Sequence, residues 1–191
     1  MGRLRDLLFG KSKLPPSRKE NLAAMKTAGV VMQKQHGMDP LGKAAVAFRP
    51  MASSSFDETR QEMDRDLRTA EATAGTAYAL STDEYGYVWV VLQDTDFEDL
   101  VSGVQRVSET LLARNLEDRL LAAVFAFTSD RGGGAFYWVY AYKHGLFYPF
   151  APAGDHQRDN VLEMRQAALL SDDLPVQWET AKWFAFWGIP M

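Results

Sequence analysis

The sequence feature that most constrains the fold is a set of three β-prone runs separated by short, glycine-containing joints. The runs are 120–128, 136–142 and 146–150, joined through 131–134 and then through His144-Gly145. Runs this rich in Val, Phe, Tyr and Trp favour strands, and short joints between strands allow only antiparallel pairing. For the second joint we expect a two-residue type I′ turn, because glycine tolerates the positive φ angle that this turn requires. The pattern therefore predicts an antiparallel meander.

Helical and strand patterns surround this meander. Helices are predicted at 17–35, 56–74, 97–112 and about 155–170, and strands at 44–49, 76–80 and 87–92. The clearest helix is capped by Asp96 and carries a continuous apolar face. The strands at 76–80 and 87–92 flank a turn-forming stretch and should pair as a hairpin. We predict a single α+β domain over 17–191, with a mainly antiparallel sheet of about five to six strands and helices packed on one face.

Residue types that carry common catalytic chemistry are absent or scattered. The chain has no cysteine, which excludes disulfides, thiolate nucleophiles, cysteine-ligated zinc and iron-sulfur clusters. His36, His144 and His156 are far apart and none has a second ligand at helical or hairpin spacing, so we predict no metal site and no cofactor. No serine lies in a nucleophile-elbow pattern. We therefore predict no catalytic residues. The alternative is an unrecognised small hydrolase or transferase that uses scattered acids and His156 beside Arg158.

Charge is distributed unevenly along the chain. The first 19 residues hold six basic residues and one acid, a net charge of +5. Since the whole chain has a net charge of −4, the other residues have a net charge of −9. An acidic body argues against a broad nucleic-acid surface. Residues 1–16 are interpreted as a basic amphipathic arm and linker that either forms a flexible terminus or lies on an anionic membrane. The candidate membrane-contact residues are Arg3, Leu4, Arg5, Leu7, Leu8, Lys11 and Lys13.

No run of about 18 apolar residues is present, and the N-terminus lacks the uninterrupted apolar stretch of a signal peptide. These two observations predict a cytoplasmic protein. Attachment to the inner face of the cell membrane through the arm is the peripheral alternative.

Aromatic residues make up 12% of the chain and concentrate in two places. The strand at 136–142 is apolar on both faces, which predicts a central strand covered above and below; an aromatic groove that receives a peptide is the alternative. The C-terminal segment, residues 178–191, holds three tryptophans and two phenylalanines. We expect it to dock on the core, with contact to a partner as the alternative. The candidate partner-binding residues are Tyr148, Arg158, Trp183 and Trp187.

Several sequence runs resemble the PspA-associated protein PspAB family, and the resemblance spans nearly the whole chain. The runs are 1–10, Asp83-Glu84-Tyr85-Gly86 with Trp89, 142–152, Arg158-Asp159-Asn160, Asp173-Leu174-Pro175, and Trp183-Phe184 with Trp187-Gly188. The resemblance implies an accessory protein of the bacterial envelope (phage-shock) stress response, encoded near PspA and the membrane protease HtpX. It implies a PspA-type or HtpX-type protein partner and no catalytic residues, and it leaves the oligomeric state open. The expected layout is similar to secretion-chaperone folds, which bind peptides on a helix-backed sheet.

Overall fold

The computed structural model describes residues 16–51, 54–129 and 133–191. The arm and every candidate membrane-contact residue from Arg3 to Lys13 lie outside the described residues. The helices and strands follow in the order α1 (Pro16–His36), β1 (Met38–Phe48), α2 (Ser54–Ala74), β2 (Ala77–Thr82), β3 (Val88–Gln93), α3 (Phe97–Ala113), β4 (Leu120–Ser129), β5 (Gly133–Ala141), β6 (Leu146–Phe150) and α4 (Asn160–Leu169). Short 3-10 helices occupy Glu117–Arg119 and Thr180–Lys182.

The strands form one six-stranded sheet in the order β2-β3-β1-β4-β5-β6. Every neighbouring pair is antiparallel. The predicted β2-β3 hairpin and the predicted meander of β4, β5 and β6 are both confirmed, as is the α+β class. Strand β1 lies between β3 and β4, so it joins the hairpin and the meander into one sheet.

Three helices cover one face of the sheet. Helix α3 follows its N-cap residue Asp96, whose side chain accepts hydrogen bonds from the amides of Glu98 and Asp99. Its first residue, Phe97, packs edge-on against Phe125. Helix α1 is tied to α3 by a 2.9 Å bond from Lys26 Nζ to Ser102 Oγ. Tyr78 of β2 is paired with Leu92 of β3, so the two side chains lie on the same face of the sheet. Helix α2 covers this face. The Tyr78 hydroxyl donates to the carboxylate of Asp64 in α2 at 2.8 Å.

Strand β5 is buried on both faces, as the sequence predicts. Phe136, Trp138 and Tyr140 alternate onto the helix side and are at most 1% exposed. Val139 points to the other side and is also fully buried. That second side is covered by the C-terminal segment, which confirms the prediction that this segment docks on the core.

Two predicted features are wrong in detail. The joint between β5 and β6 has four residues, 142–145, because the amides of His144 and Gly145 both bind the carbonyl of Ala141. Gly145 has a positive φ of 69°, whereas His144 does not have one, so the turn is not type I′. The last helix begins at Asn160, about five residues later than predicted, since Asp159 is its N-cap. The preceding residues form a loop closed by two backbone hydrogen bonds, from the Ala153 amide to the Gln157 carbonyl and from the Gln157 amide to the Gly154 carbonyl.

Strand β1 is also longer than predicted, since it starts at Met38 and not at residue 44. Its register with β4 shifts between Pro40 and Ala44. A bulge of this kind lets a strand continue past proline and glycine, which normally end strand patterns.

Candidate functional site

A row of small side chains crosses the open face of the sheet. Ala47 of β1 pairs with Trp89 of β3 on one side and with Ala122 of β4 on the other. Ala122 in turn pairs with Ala141 of β5. Since paired residues lie on the same face, three alanines stand side by side, and Trp89 rises at one end of the row. With strands about 4.8 Å apart, the alanines leave a trough roughly 10 Å wide on this face.

The C-terminal segment crosses this face from β6 to Trp89 and covers the trough. The chain approaches by adding a short parallel bridge to β6, where the Phe147 amide donates to Pro175 and the Gln177 amide donates to the Phe147 carbonyl. Beyond this bridge, Trp183 stacks on Tyr148 with ring centroids 6.1 Å apart, and it is only 6% exposed.

Two further ring contacts hold the end of the C-terminal segment on the sheet. Phe186 meets Trp89 edge-on at 5.8 Å. Trp187 meets Phe150 at 5.2 Å and stacks on the His156 ring at the same distance. The segment therefore contacts β3, β6 and the loop before α4, and it closes the trough into a groove.

A buried ion pair fixes the C-terminal segment to α4. Glu163 is 1% exposed, and its Oε1 accepts from Arg158 Nε at 2.9 Å and from the Ala151 amide at 2.8 Å. Arg158 Nη1 donates to the Trp183 carbonyl at 2.7 Å, and its guanidinium lies 5.2 Å above the Phe150 ring. Arg158 therefore links helix α4, strand β6 and the C-terminal segment.

The hydroxyl of Tyr148 makes a second tie, donating to the Phe184 carbonyl at 3.0 Å. Burial raises the pKa of Tyr148 well above its ordinary value, although the positive charge of Arg158 opposes that shift. The hydroxyl therefore stays protonated, and remains a donor, over the whole physiological pH range.

The β2-β3 turn is shaped by one carboxylate. Asp83 Oδ1 accepts from the amides of Tyr85 and Tyr87, each at 2.9 Å, and Asp83 Oδ2 accepts from the Trp89 indole at 2.8 Å. These bonds explain why the Asp83-Glu84-Tyr85-Gly86 run occurs together with Trp89. They hold Tyr85 and Tyr87 at the edge of the groove.

The resulting aromatic groove has a volume of about 500 Å³. The sheet and its turn contribute Tyr85, Tyr87, Trp89 and Tyr148, and the C-terminal segment contributes Phe184, Phe186 and Trp187. Phe184 and Tyr85 are 61% and 59% exposed, whereas Trp89 and Tyr148 are almost fully buried. Arg49, Lys143, His144 and Asp83 are its charged or titratable lining residues.

The structure separates the four candidate partner-binding residues into two pairs. Tyr148 and Trp187 line the aromatic groove. Arg158 and Trp183 lie behind it and hold the C-terminal segment in place. Sequence reasoning missed Tyr85, Phe184 and the alanine row. Alanine is uncommon inside strands, so Ala47, Ala122 and Ala141 carried a signal, but only the strand register brings the three together.

His156 and Arg158, the residues considered for a hydrolase or transferase, contact Trp187 and Glu163 respectively. Within the described residues, no three His, Asp or Glu side chains are grouped closely enough to hold a metal ion. None of the helices in the described part of the chain has the length and apolar character needed to cross a bilayer.

Comparison with protein families gives one match, to the family described as PspA associated protein B, and it covers residues 1–191. The match confirms the resemblance drawn from the sequence runs. Searches of curated proteins and of solved structures each gave no match.

Proposed function

We propose, because the chain belongs to the PspA associated protein B family, that it is a non-catalytic accessory protein of the bacterial envelope stress response. The family gives it a role linked to PspA. The proposed mode of action is binding of a PspA-type protein through the aromatic groove.

The observation that supports this proposal most strongly is the exposure of large aromatic side chains at the opening of a pre-formed groove. Phe184 and Tyr85 are each more than half exposed, and they stand beside buried rings that form a rigid floor. Aromatic residues at such positions are typical of protein-binding surfaces, since each offers a large apolar area at a small cost in conformational entropy. The groove volume of about 500 Å³ is large enough for two or three side chains of a partner.

Two carboxylates, Asp83 at the edge of the groove and Glu163 behind it, are engaged in hydrogen bonds that support the fold. Asp83 is engaged by three N–H donors, and Glu163 by Arg158 and a backbone amide. Their hydrogen bonds hold the walls of the groove in position. In this proposal Trp187 contributes to the contact surface and Tyr148 forms part of the buried floor, whereas Arg158 and Trp183 act by positioning the C-terminal segment.

The test is isothermal titration calorimetry between the purified protein and a PspA-type protein, with an HtpX-type protein as the second candidate partner. The informative variant is Tyr85→Ala/Phe184→Ala, which truncates two exposed rings of the groove. Loss of two interface aromatics should weaken binding by about tenfold or more. The matched control is Trp178→Ala, since Trp178 is 53% exposed and does not line the groove.

The control variant should bind as the wild type does. Absence of association with either partner would refute the proposed function. Equal weakening by the groove variant and by the control would show that the groove is not the contact surface.

A second candidate function is attachment to an anionic membrane through residues 1–13, and the net charge of +5 over residues 1–19 favours it. Each basic residue near such a surface contributes about 1 kcal/mol. Flotation with anionic and neutral vesicles tests it, using the full chain and a variant that lacks residues 1–13. Recovery that is equal on both kinds of vesicle, or unchanged by the deletion, would contradict membrane attachment.

A further inference from the structure

We infer that the aromatic groove recognises an acidic segment of a partner protein, in which Asp or Glu side chains stand beside Phe or Leu. This inference rests on the proposed function and specifies the chemistry of the contact. It follows from the positions of two cationic side chains at the groove, in a protein whose residues 20–191 have a net negative charge.

Two exposed cations line the groove, Arg49 and Lys143. Arg49 directly follows β1, and because Phe48 and Val46 face the helices, Arg49 points to the opposite face with Ala47. Lys143 lies in the turn after β5. Strands β1 and β5 are two positions apart in the sheet, which separates the two cations laterally by roughly 10 Å.

Acidic groups at the groove lie at its other end. Asp83 and Glu84 belong to the β2-β3 turn, on the far side of β3 from β1. The Asp83 carboxylate is already covered by three N–H donors, and Glu84 interacts with the Tyr85 hydroxyl. Among the charged residues that line the groove, Arg49 and Lys143 are positive and belong to the end of β1 and the β5-β6 turn, whereas Asp83 is negative and belongs to the β2-β3 turn.

Residues 20–191 carry a net charge of −9 and would repel an acidic partner from most of the surface. The lining cations attract it locally, and the exposed ring of Phe184 lines the same groove. An acidic segment with apolar side chains satisfies both features. Two carboxylates about 10 Å apart match the lateral separation of Arg49 and Lys143.

The test uses fluorescent peptides of about ten residues, long enough to cross the groove when extended. One contains Glu with Phe and Leu, and the second has Gln in place of each Glu. We expect the Glu peptide to bind about tenfold more tightly at low salt, and its affinity to fall as the salt concentration rises. Equal affinities of the two peptides would overturn the inference.

The protein variant for this test is Arg49→Gln/Lys143→Gln. Its matched control is Arg65→Gln/Lys34→Gln, which removes one exposed arginine and one exposed lysine from the helix layer. The groove variant should bind the Glu peptide about fivefold to tenfold more weakly, with the control changed less than about twofold. An equal loss of affinity in both variants would show that only the net charge of the protein matters, and it would overturn the inference.

Competition with vesicles identifies the class of ligand. Anionic vesicles that displace the Glu peptide from the wild type, but bind the Arg49→Gln/Lys143→Gln variant poorly, would assign the groove to a membrane surface and refute a protein ligand. The inference and the proposed function can also fail separately. A PspA-type protein that binds the wild type and this variant equally well would end the inference alone. Binding of the Glu peptide without any association with the candidate partners would end the proposed function alone.

Discussion

Replacing Arg158 by alanine tests how much this residue contributes to holding the C-terminal segment. The substitution removes the hydrogen bond to Glu163, the hydrogen bond to the Trp183 carbonyl and the cation over the Phe150 ring. Glu163, which is 1% exposed, keeps only its bond from the Ala151 amide. A buried carboxylate would then stand without its counter-ion.

Breaking a buried ion pair by removing one partner costs about 3–5 kcal/mol. Arg158 retains 19% of its side-chain exposure, so water can enter after truncation and the lower end of the range, about 3 kcal/mol, applies. For a chain of this size, 1 kcal/mol corresponds to about 2–4 °C in the midpoint of thermal unfolding. The midpoint of Arg158→Ala should therefore lie about 6–12 °C below that of the wild type.

The assay is thermal unfolding followed by circular dichroism, together with limited proteolysis near residue 183. Arg165→Ala is the matched control, because Arg165 is an exposed arginine on α4, the helix that carries Glu163. The double variant Arg158→Met/Glu163→Gln removes both charges and should recover most of the lost stability. An Arg158→Ala midpoint close to that of Arg165→Ala would refute a stabilising role of the Arg158 ion pair and its bond to the C-terminal segment.

Three further substitutions or conditions probe other parts of the structure. Asp83→Ala should lower the free energy of unfolding by about 2–3 kcal/mol in urea, because two amides and the Trp89 indole lose their acceptor; a loss under about 0.5 kcal/mol would count against this role. Gly29→Ala should lower the melting temperature despite the better helix propensity of alanine, since the new Cβ would lie 2.3 Å from Phe97 Cε1; an unchanged or higher value would contradict that packing. Burial raises the pKa of Tyr142 from its ordinary value of 10.0, so the unfolded chain loses this proton first as pH rises, and the free energy of unfolding should fall above about pH 10 by up to about 1.4 kcal/mol per pH unit. Absorbance of tyrosinate should show Tyr142 ionising only with unfolding, and ionisation in the folded protein would oppose this prediction.

Local signals predict much of the fold. The Asp96 cap and the apolar face after it place α3 correctly, and turn-forming stretches between apolar runs predict both hairpins. These features depend on residues close together in sequence. The position of β1 between β3 and β4 depends on pairing over long sequence distances, for which no short motif exists. The late start of α4 is set by the backbone-bonded loop before Asp159, whose residues lack a distinctive pattern.

One part of the candidate site could be predicted from the sequence and another could not. The density of tryptophan and phenylalanine after residue 177 is sufficient to predict that the C-terminal segment docks on the core, because exposing so much apolar area would be costly. The groove itself could not be predicted. It exists because Ala47, Ala122 and Ala141 share one row, and a shift of one residue in any strand would move an alanine to the helix face.

Hydrogen exchange measured by mass spectrometry, on the protein alone and with a PspA-type protein bound, tests the central claim most directly. The account predicts that binding slows amide exchange at 83–89, 143–145 and 184–187, the three stretches that surround the aromatic groove, and leaves α2 unchanged. Slowed exchange that is confined to the helix layer would contradict the groove as the binding surface.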